Sequence, residues 1–326
     1  MKENDIRPDK IFNKYLKLAE NDCNKFFFGN SKVKVSCPVH KDSNGEELFV
    51  KNGFNYRKCK FCDSIFVSPR HNIKNYENFY LNGESVKFWS QEFYKKTEEA
   101  RREKLWKPKV EELCSSEILD LPIQEYSIID IGGGYGVFAE LIKQKNPNNV
   151  LVVEPNRELA QVCKKKGINV IQKFSNELKL DELPSGPKII TSFELFEHLY
   201  NPYEFIESLR NIMKTGDILY LTTLTSSGID IKVLKEKSKA ITPPHHINFI
   251  SVKGAYELLK NFGFGDIKIS TPGKLDIDIL KKQKNDIKDD IVTSILNNFD
   301  EDSLEKLQKL ISTNNMSSHL LIKAKL

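Results

Sequence analysis

Residues 126–136, YSIIDIGGGYG, decide the fold, because an apolar run typical of a buried strand passes directly into a glycine-rich turn. A helical pattern with its apolar residues on one face follows at 137–145. A second strand-like run, NVLVVEPN, occupies 149–156, and strand and helix patterns alternate from there to the end of the sequence. Such alternation is typical of a doubly wound parallel sheet, so the sequence predicts an α/β fold.

The composition sets limits on the partners of the chain. Its 326 residues, 39% of them hydrophobic, are enough for one sizeable domain and a small appendage. Lysine and arginine number 50 against 45 aspartate and glutamate, a formal net charge of +5 that is intermixed along the chain and argues against a nucleic-acid partner. The first thirty residues are charged throughout, and no stretch approaches about 18 uninterrupted apolar residues. We therefore expect a cytoplasmic protein without a membrane span. A homodimer stays open, because a helical insert near the end of the chain can form a dimer surface.

Two short motifs near the start of the chain predict a metal site. CPVH at 37–40 and CKFC at 59–62 form the pattern C-x2-H-x18-C-x2-C, in which each pair can present two ligands on a tight turn. A disulfide framework is not expected for the six cysteines of a chain without an export signal. A closed site with four ligands has no open position, so we expect structural zinc that holds a small ribbon together. The predicted zinc ligands are Cys37, His40, Cys59 and Cys62.

Three stretches are predicted along the chain. Residues 1–80 contain an N-terminal helix and the zinc ribbon, and residues 81–122 form a helical linker that we expect Pro108 to interrupt. Residues 123–326 form the main domain, with a helical insert at about 280–315. The aromatic residues of the linker either pack between the ribbon and the main domain or cover a pocket.

The glycine-rich turn predicts a nucleotide-like ligand, because glycine lets a ligand approach the backbone closely. Glu154 closes the second strand about 20 residues later and is placed to accept hydrogen bonds from ribose hydroxyls. Asp130 at the entrance of the turn would repel a pyrophosphate but suits the ammonium and sulfonium groups of S-adenosylmethionine. The predicted donor-site residues are Asp130, Gly132, Gly133, Gly134, Gly136, Glu154, Pro155, Asn156, Ser192 and Phe193.

The pattern acid-x-Gly-x-Gly-x-Gly, met here by residues 130–136, resembles the first motif of the class I S-adenosylmethionine-dependent methyltransferases. The resemblance covers about 123–270 and the closing strand at 319–326. It implies a Rossmann-like sheet of seven strands with an antiparallel last strand. It also implies an enzyme of class EC 2.1.1.-, a methyltransferase that uses S-adenosyl-L-methionine.

Two further motifs resemble one branch of that class. These are E-x-x-E-H-x-x-x-P at 194–202 and P-x-H-x-N-F-x-S at 244–251, together with the zinc ribbon ahead of the domain. They resemble bacterial methyltransferases of surface-polysaccharide and sugar pathways. The resemblance implies a small-molecule or carbohydrate acceptor, and O-methylation of a sugar or nucleotide-sugar in polysaccharide biosynthesis.

The acids and histidines of these motifs follow predicted strands, at the edge where an open α/β sheet binds its ligands. A divalent metal such as Mg or Mn is the first hypothesis, because carboxylates and imidazoles can hold it against a substrate hydroxyl. A histidine acting as general base, His246 or His198, is the second, and a purely structural role is the third. The candidate catalytic residues are His246, His198, Glu197, Glu194 and His245, of which Glu194, Glu197, His198 and His246 form the possible second metal site.

Other functions stay open at this point. The small-RNA 2′-O-methyltransferases and the ubiquinone O-methyltransferases look similar at E-x-x-E-H, but an RNA acceptor would need a basic groove that the mixed charges do not indicate. The sugar C-methyltransferases also resemble this chain, which departs from them with His245 in place of a glutamate and without their large C-terminal domain. The non-enzyme alternative is a binding protein with an inert cofactor fold, and the intact acid and glycine positions of the donor motif argue against it.

Overall fold

The structure is a computed structural model that describes residues 1–29 and 31–326. Its strands, in chain order, are β1 Lys32–Val33, β2 Glu46–Lys51, β3 Phe54–Lys58, β4 Ile65–Val67, β5 Arg70–His71, β6 Ser127–Ile131, β7 Asn149–Val153, β8 Asn169–Ile171, β9 Lys188–Phe193, β10 Ile218–Leu224, β11 Asn248–Phe249, β12 Gly265–Ser270 and β13 His319–Lys325.

The α-helices of the same residues are α1 Glu3–Ile6, α2 Asp9–Phe26, α3 Ile73–Asn82, α4 Glu84–Phe88, α5 Tyr94–Arg101, α6 Lys107–Cys114, α7 Val137–Lys143, α8 Arg157–Lys165, α9 Pro202–Asn211, α10 Ile229–Leu234, α11 Val252–Asn261, α12 Asp276–Lys282, α13 Asp290–Asn298 and α14 Glu301–Thr313. Among the described residues, no helix is both long enough and apolar enough to cross a membrane.

The main sheet lies within residues 127–325 and has seven strands in the order β12-β13-β10-β9-β6-β7-β8. Strands β10, β9, β6, β7 and β8 run parallel, and β13 inserts antiparallel between β10 and β12. The predicted α/β fold with an antiparallel last strand is therefore confirmed. Because the parallel strands share a direction, the turns after β6 and β9 meet at the same edge of the sheet.

Helices cover both faces of this sheet, which explains why β6 is buried along its whole length. Ile129 and Ile131 pack with α9 and α11 on one face. Ile128 packs with α6 and α7 on the other face. The apolar run before the glycine turn therefore supplies alternate residues to two cores.

A second sheet joins the N-terminal region to the main domain. Strands β2, β3 and β4 form a meander within residues 46–67, and β11 from the main domain extends it in the order β11-β4-β3-β2. Asn248 is opposite Phe66, and Phe249 is opposite Ile65. This sheet crosses the boundary predicted near residue 80, and the domain limits themselves stay predictions.

The linker helices α4 to α6 form one continuous helical rod, so the predicted interruption at Pro108 is wrong. Two π-helical turns, Trp89–Phe93 and Arg102–Trp106, join the α-helical parts. The N–H of Lys107 donates to the carbonyl of Arg102, five residues back. This wider turn ends directly before Pro108, which stands in the first turn of α6, where its missing N–H and its fixed φ are tolerated.

The predicted helical insert corresponds to α12, α13 and α14. Apolar residues of these helices pack against α10, and Leu234, Ile277, Leu280 and Leu304 lie in this small core. The insert is therefore anchored to the segment that follows β10.

Candidate active site

The turn after β6 has the backbone shape that only glycine adopts readily. Gly132, Gly134 and Gly136 have φ values of 71°, 55° and 68°. A Cβ at Gly133 would lie 2.8 Å from Asp130 Oδ2, which is closer than real contacts allow. The turn thus brings backbone N–H groups and the Asp130 carboxylate into one small volume.

Asp130 is buried at the carboxyl end of β6, and Thr191 Oγ1 donates a hydrogen bond to its Oδ1 at 2.8 Å. Burial raises the pKa of Asp130 to about 7 against the stabilising hydrogen bond from Thr191. A cationic ligand beside this carboxyl group would favour its ionised form.

Glu154 lies at the end of β7 with its carboxylate fixed by two backbone groups. Gly134 N donates to Oε2 at 3.0 Å, and Asn156 N donates to Oε1 at 2.9 Å. Asn156 itself caps α8 by accepting from the N–H groups of Glu158 and Leu159, and Pro155 lies between the two. Glu154 therefore bridges the glycine turn and the next helix.

The end of β9 completes the donor side. The ring of Phe193 packs on Phe138 at 4.5 Å and on Trp106 at 5.7 Å between ring centres. Ser192 is fully buried, and its Oγ has no hydrogen-bond partner within residues 1–29 and 31–326. Leu195 lies so close to Gly132 that a Cβ there would meet its side chain at 2.8 Å, so the turns after β6 and β9 touch.

Glu194 is held by three side chains from distant parts of the chain. Its Oε1 accepts from Thr222 Oγ1 at 2.7 Å and from Lys109 Nζ at 3.2 Å, and His319 Nδ1 lies 3.5 Å away. Burial alone would raise its pKa, but the charges of His319 and Lys109 and the hydrogen bonds outweigh burial and hold the pKa well below its usual range. Glu194 is therefore an ionised carboxylate whose Oε1 has three side-chain partners.

Glu197, His198 and His246 form a separate group, whose ligand-type atoms all lie within 4.8 Å of one another. We call these three residues the acceptor cluster. Glu197 is 1% exposed, and Thr223 Oγ1 donates to its Oε2 at 2.8 Å. Burial, reinforced by the negative charge of Glu194, raises the pKa of Glu197 to about 8.

The two histidines of the acceptor cluster face each other, with ring centres 4.8 Å apart. His246 Nδ1 donates to the carbonyl oxygen of Ala240 at 2.6 Å, which leaves the lone pair on Nε2. Tyr80 Oη lies 3.5 Å from His198 Nδ1. Burial lowers the pKa of His198 to about 4 and that of His246 to about 3, so both rings are neutral near pH 7.

His245 lies beside this cluster but is not part of it, with its ring centre 6.3 Å from that of His198. It is buried against the rings of Tyr15 and Phe79, and its Nε2 lies 2.8 Å from Ser85 Oγ, which donates to Asp22 at 2.6 Å. Its catalytic role stays a prediction, as do the roles of the other candidate residues.

The four predicted zinc ligands come together as the sequence pattern requires. The Sγ atoms of Cys37 and Cys62 are 3.7 Å apart, and Cys59 Sγ lies 3.7 Å from His40 Nδ1. Two ligands of a tetrahedral ion with bonds near 2.3 Å are separated by about this distance. His40 Nε2 lies 3.4 Å from Glu257 Oε2, the carboxylate support that metal-bound histidines commonly have. The residues present therefore fit zinc.

The comparison with known proteins decides the family. A family model described as a methyltransferase domain matches residues 98–269, more than half of the chain. The chain belongs to this methyltransferase domain family. The match begins within the helical linker, which is therefore part of the methyltransferase domain as the family defines it.

Individual relatives are more distant. An uncharacterised protein of Methanocaldococcus jannaschii is 27% identical over 155 residues, which are 47% of this chain and 72% of that protein. A ubiquinone biosynthesis O-methyltransferase of Colwellia psychrerythraea is 28% identical over 108 residues, or 32% of this chain and 44% of that enzyme. A crystal structure of a SAM-dependent methyltransferase from Archaeoglobus fulgidus has a TM-score of 0.45 and 19% identity, covering 63% of this chain and 88% of that one. The methyltransferase thus spans less than half of the ubiquinone enzyme that it matches.

S-adenosylmethionine is the methyl donor of this class of enzyme, and the donor side of the methyltransferase fits it. The buried Asp130 carboxyl group accepts a hydrogen bond from Thr191, and the glycine turn beside it carries no Cβ that would keep a ligand from the backbone. Ser192 Oγ, buried without a partner in the described part of the chain, offers one further polar group at the end of β9.

Sequence reasoning missed several residues of the site. Lys109, Thr222 and His319 hold Glu194, and Tyr80 approaches His198, yet none of these residues belongs to a motif. No spacing signal could have found Lys109, because it lies 85 positions before Glu194.

Residues of the P-x-H-x-N-F-x-S motif at 244–251 connect the ribbon to the acceptor cluster. Asn248 Nδ2 donates to the carbonyl of Leu199 at 2.7 Å, and Ile247 N donates to the carbonyl of Glu197 at 2.9 Å. Ser251 Oγ donates to the carbonyl of Cys62 in the zinc-ligand turn. The ribbon therefore supports the loop that carries Glu197 and His198.

Proposed function

We propose that the protein transfers a methyl group from S-adenosylmethionine to a hydroxyl oxygen of a small polyhydroxylated acceptor, a sugar or nucleotide-sugar. The observation that carries this proposal is the acceptor cluster, which stands at the same sheet edge as the donor turn. Leu195, two residues before Glu197, contacts that turn at Gly132. The sugar assignment rests on the sequence resemblance, and the O-methyltransferase class is that of the ubiquinone relative.

On the donor side, Asp130 and Glu154 are the residues proposed to bind and orient the donor. Asp130 faces its cationic end, and Glu154 accepts from its ribose hydroxyls. S-adenosylmethionine supplies a methyl group on a positively charged sulfur, which is a good leaving group. The turns after β6 and β9 are anchored to the ends of buried strands, which favours a fixed distance between the methyl donor and the acceptor.

On the acceptor side, the acceptor cluster is proposed to hold a divalent cation. Three ligand atoms within 4.8 Å, two of them on neutral imidazoles, suit a cation with open positions better than a general base. A base works best with a pKa near the working pH, whereas burial lowers the pKa of His198 to about 4 and that of His246 to about 3. Such a cation would lower the pKa of an acceptor hydroxyl.

The residues around the cluster keep its ligand atoms in place. Ala240 accepts from His246 Nδ1 and thereby aims Nε2 inward, and Thr223 orients Glu197. In the proposed transfer the acceptor oxygen forms a bond to the methyl carbon as the carbon–sulfur bond breaks. The hydroxyl proton leaves to water, and S-adenosylhomocysteine is the second product.

The test is an incubation of the zinc-loaded protein with S-adenosylmethionine that carries a tritiated methyl group. Nucleotide-sugars, free sugars and a short RNA are offered separately, with Mg or Mn added. We expect label in a sugar, as an alkali-stable ether, and at least about a hundredfold less label with Glu197→Gln. Label in the RNA alone would move the proposal to 2′-O-methylation, and label on carbon would move it to C-methylation. If the protein binds no S-adenosylmethionine, all three kinds of methyl transfer are refuted.

A further inference from the structure

Arg101 and Arg102 are neighbours in the linker but have opposite environments. Arg102 forms an ion pair with Glu140, with Nη1 and Oε2 3.2 Å apart. Arg101 Nε is buried without a hydrogen-bond partner, and no carboxylate among residues 1–29 and 31–326 pairs with its guanidinium. Its guanidinium group lies over the rings of Trp89 and Tyr94, 5.7 and 6.0 Å from the ring centres. Arg101 is partly buried, and a partly desolvated guanidinium group without an anion is less favourable than a paired one.

Arg7 repeats the pattern from another part of the chain. Its Nε is also buried and without a partner in the part of the chain that the structure describes, and its guanidinium lies 5.4 Å from the ring of Phe12. Ion pairs fix this segment: Lys104 Nζ lies 2.7 Å from Asp5, and Lys282 lies 3.4 Å from Glu3. Helix α1 is therefore held between the linker and α12, and these contacts fix the position of Arg7, which follows α1.

The two arginines flank one aromatic wall. Phe12 stacks on Tyr15, Tyr15 lies 4.9 Å from Trp89, and Trp89 lies under Arg101. Tyr15 also contacts His245, the residue next to His246 of the acceptor cluster. One continuous row of rings, Phe12, Tyr15 and Trp89, thus joins the two guanidinium groups. Both therefore border the acceptor side of the site.

The acid on this side of the site already has partners. Glu194 Oε1 lies 3.2 Å from Lys109 Nζ and 3.5 Å from His319 Nδ1. Among the described residues, neither Arg7 nor Arg101 forms an ion pair, so both guanidinium groups are free to bind an anion.

We propose that Arg7 and Arg101 form a binding site for a phosphate or carboxylate group of the methyl acceptor. Guanidinium groups bind such anions through paired N–H donors, and two of them suit the diphosphate of a nucleotide-sugar or a sugar acid. The inference rests on the proposed function, because it names the acceptor's charge. The carboxylate of the methyl donor is the other source of the same chemistry. The acceptor is favoured because the aromatic wall between the arginines reaches His245, whose ring centre lies 6.3 Å from that of His198 in the acceptor cluster.

The test uses inorganic pyrophosphate as the probe and the full-length protein saturated with S-adenosylhomocysteine. Calorimetry at constant ionic strength compares the wild type with Arg101→Met and Arg7→Met, and Arg102→Met is the matched control because that arginine is already paired. We expect each of the first two changes to weaken pyrophosphate binding by about tenfold or more and the control to change it by less than about twofold. Equal losses in all three variants, or no binding to the wild type, would overturn the proposal.

A second titration separates the two sources of the anion. S-adenosylhomocysteine and 5′-methylthioadenosine, which lacks the amino acid end, are titrated into the same variants. We expect both affinities to stay within about twofold of the wild type in Arg101→Met. A loss confined to S-adenosylhomocysteine would show that the arginines bind the donor carboxylate and would overturn the assignment to the acceptor. Failure of the wild type to bind S-adenosylhomocysteine would refute the proposed function; the same pyrophosphate titrations without S-adenosylhomocysteine would then test the arginine site alone.

Discussion

Lys109 Nζ donates to Glu194 Oε1 at 3.2 Å, and this contact separates the two glutamates of the E-x-x-E-H motif. Glu194 is ionised against Lys109 and His319, whereas Glu197 is buried beside Thr223 with its pKa raised to about 8 by burial and by Glu194. Two identical side chains three residues apart therefore have different charge states. Only Glu197 belongs to the acceptor cluster.

We predict that glutamine substitutions at the two positions have different effects on stability. Glu194→Gln leaves Lys109 without its anion and should lower the free energy of unfolding by about 2 kcal/mol at pH 7. Glu197→Gln replaces a largely neutral group and should change it by less than about 0.5 kcal/mol. Urea unfolding of protein without added divalent metal measures both. Equal losses would contradict the charge states described above.

Asp130 should make donor binding depend on pH. Its folded-state pKa is raised from 3.8 to about 7, so the protonated form is favoured in the folded protein, and this contribution to stability is lost as the pH rises from about 4 through 7. The ammonium group that S-adenosylmethionine and S-adenosylhomocysteine share favours the ionised form of Asp130. The affinity for S-adenosylhomocysteine should therefore increase over the same pH range. Calorimetry between pH 5.5 and 8 should show this slope in the wild type. Asp130→Asn should bind at least about tenfold more weakly, with little slope; a slope that persists in Asp130→Asn would exclude Asp130 as its origin.

The zinc proposal predicts about one zinc ion per chain, held by the four ligands of the ribbon. Cys59→Ser should lose this metal and expose residues 37–62 to proteolysis, because the ribbon has few other means of holding its turns together. Cys114→Ser is the matched control, since Cys114 is a partly buried cysteine outside the group. Elemental analysis and limited proteolysis measure the two effects. Full zinc content in Cys59→Ser would refute the site.

The acceptor cluster should bind a divalent metal separately from the zinc. With the zinc site filled, Mn should bind the wild type and should bind His246→Ala at least about tenfold more weakly. Glu194→Gln is the control, because Glu194 is engaged by Lys109 and Thr222. Paramagnetic resonance of free Mn measures the binding. Methyl transfer that is unaffected by the loss of Mn binding would favour a histidine acting as base.

A buried ion pair outside the site predicts a large effect on stability. Lys188 Nζ lies 3.1 Å from Asp217 Oδ2, with side-chain exposures of 2% and 4%, and Asp217 also accepts from the N–H groups of Lys188 and Lys214. Asp217→Ala should therefore cost about 3–5 kcal/mol, because a buried ammonium loses its partner. Asp302→Ala breaks the exposed pair with Lys306 and should cost less than about 0.5 kcal/mol. Similar losses in both variants would contradict this account.

The sequence by itself determined the features that depend on neighbours along the chain. The apolar run before the glycine turn, the positive φ values within it and the acid at the end of β7 follow from local pattern and backbone sterics. So does the pairing of x2 motifs, which brought Cys37, His40, Cys59 and Cys62 within reach of one ion. The alternation of strands and helices indicated the α/β class, whereas the seven strands and the antiparallel last strand were implied by the family resemblance.

Only the tertiary structure decided what depends on residues far apart. Lys109 and His319 reach Glu194 from opposite ends of the methyltransferase domain, and they determine which glutamate is ionised. The linker continues past Pro108 because this proline stands in the first turn of α6, directly after a π-helical turn. Nothing in the local composition indicates such a turn. Arg101 and Arg102 are adjacent and identical in the sequence, and they differ in the structure because Arg102 forms an ion pair with Glu140. Charge state and partner are set by burial and by long-range contacts, which local periodicity does not record.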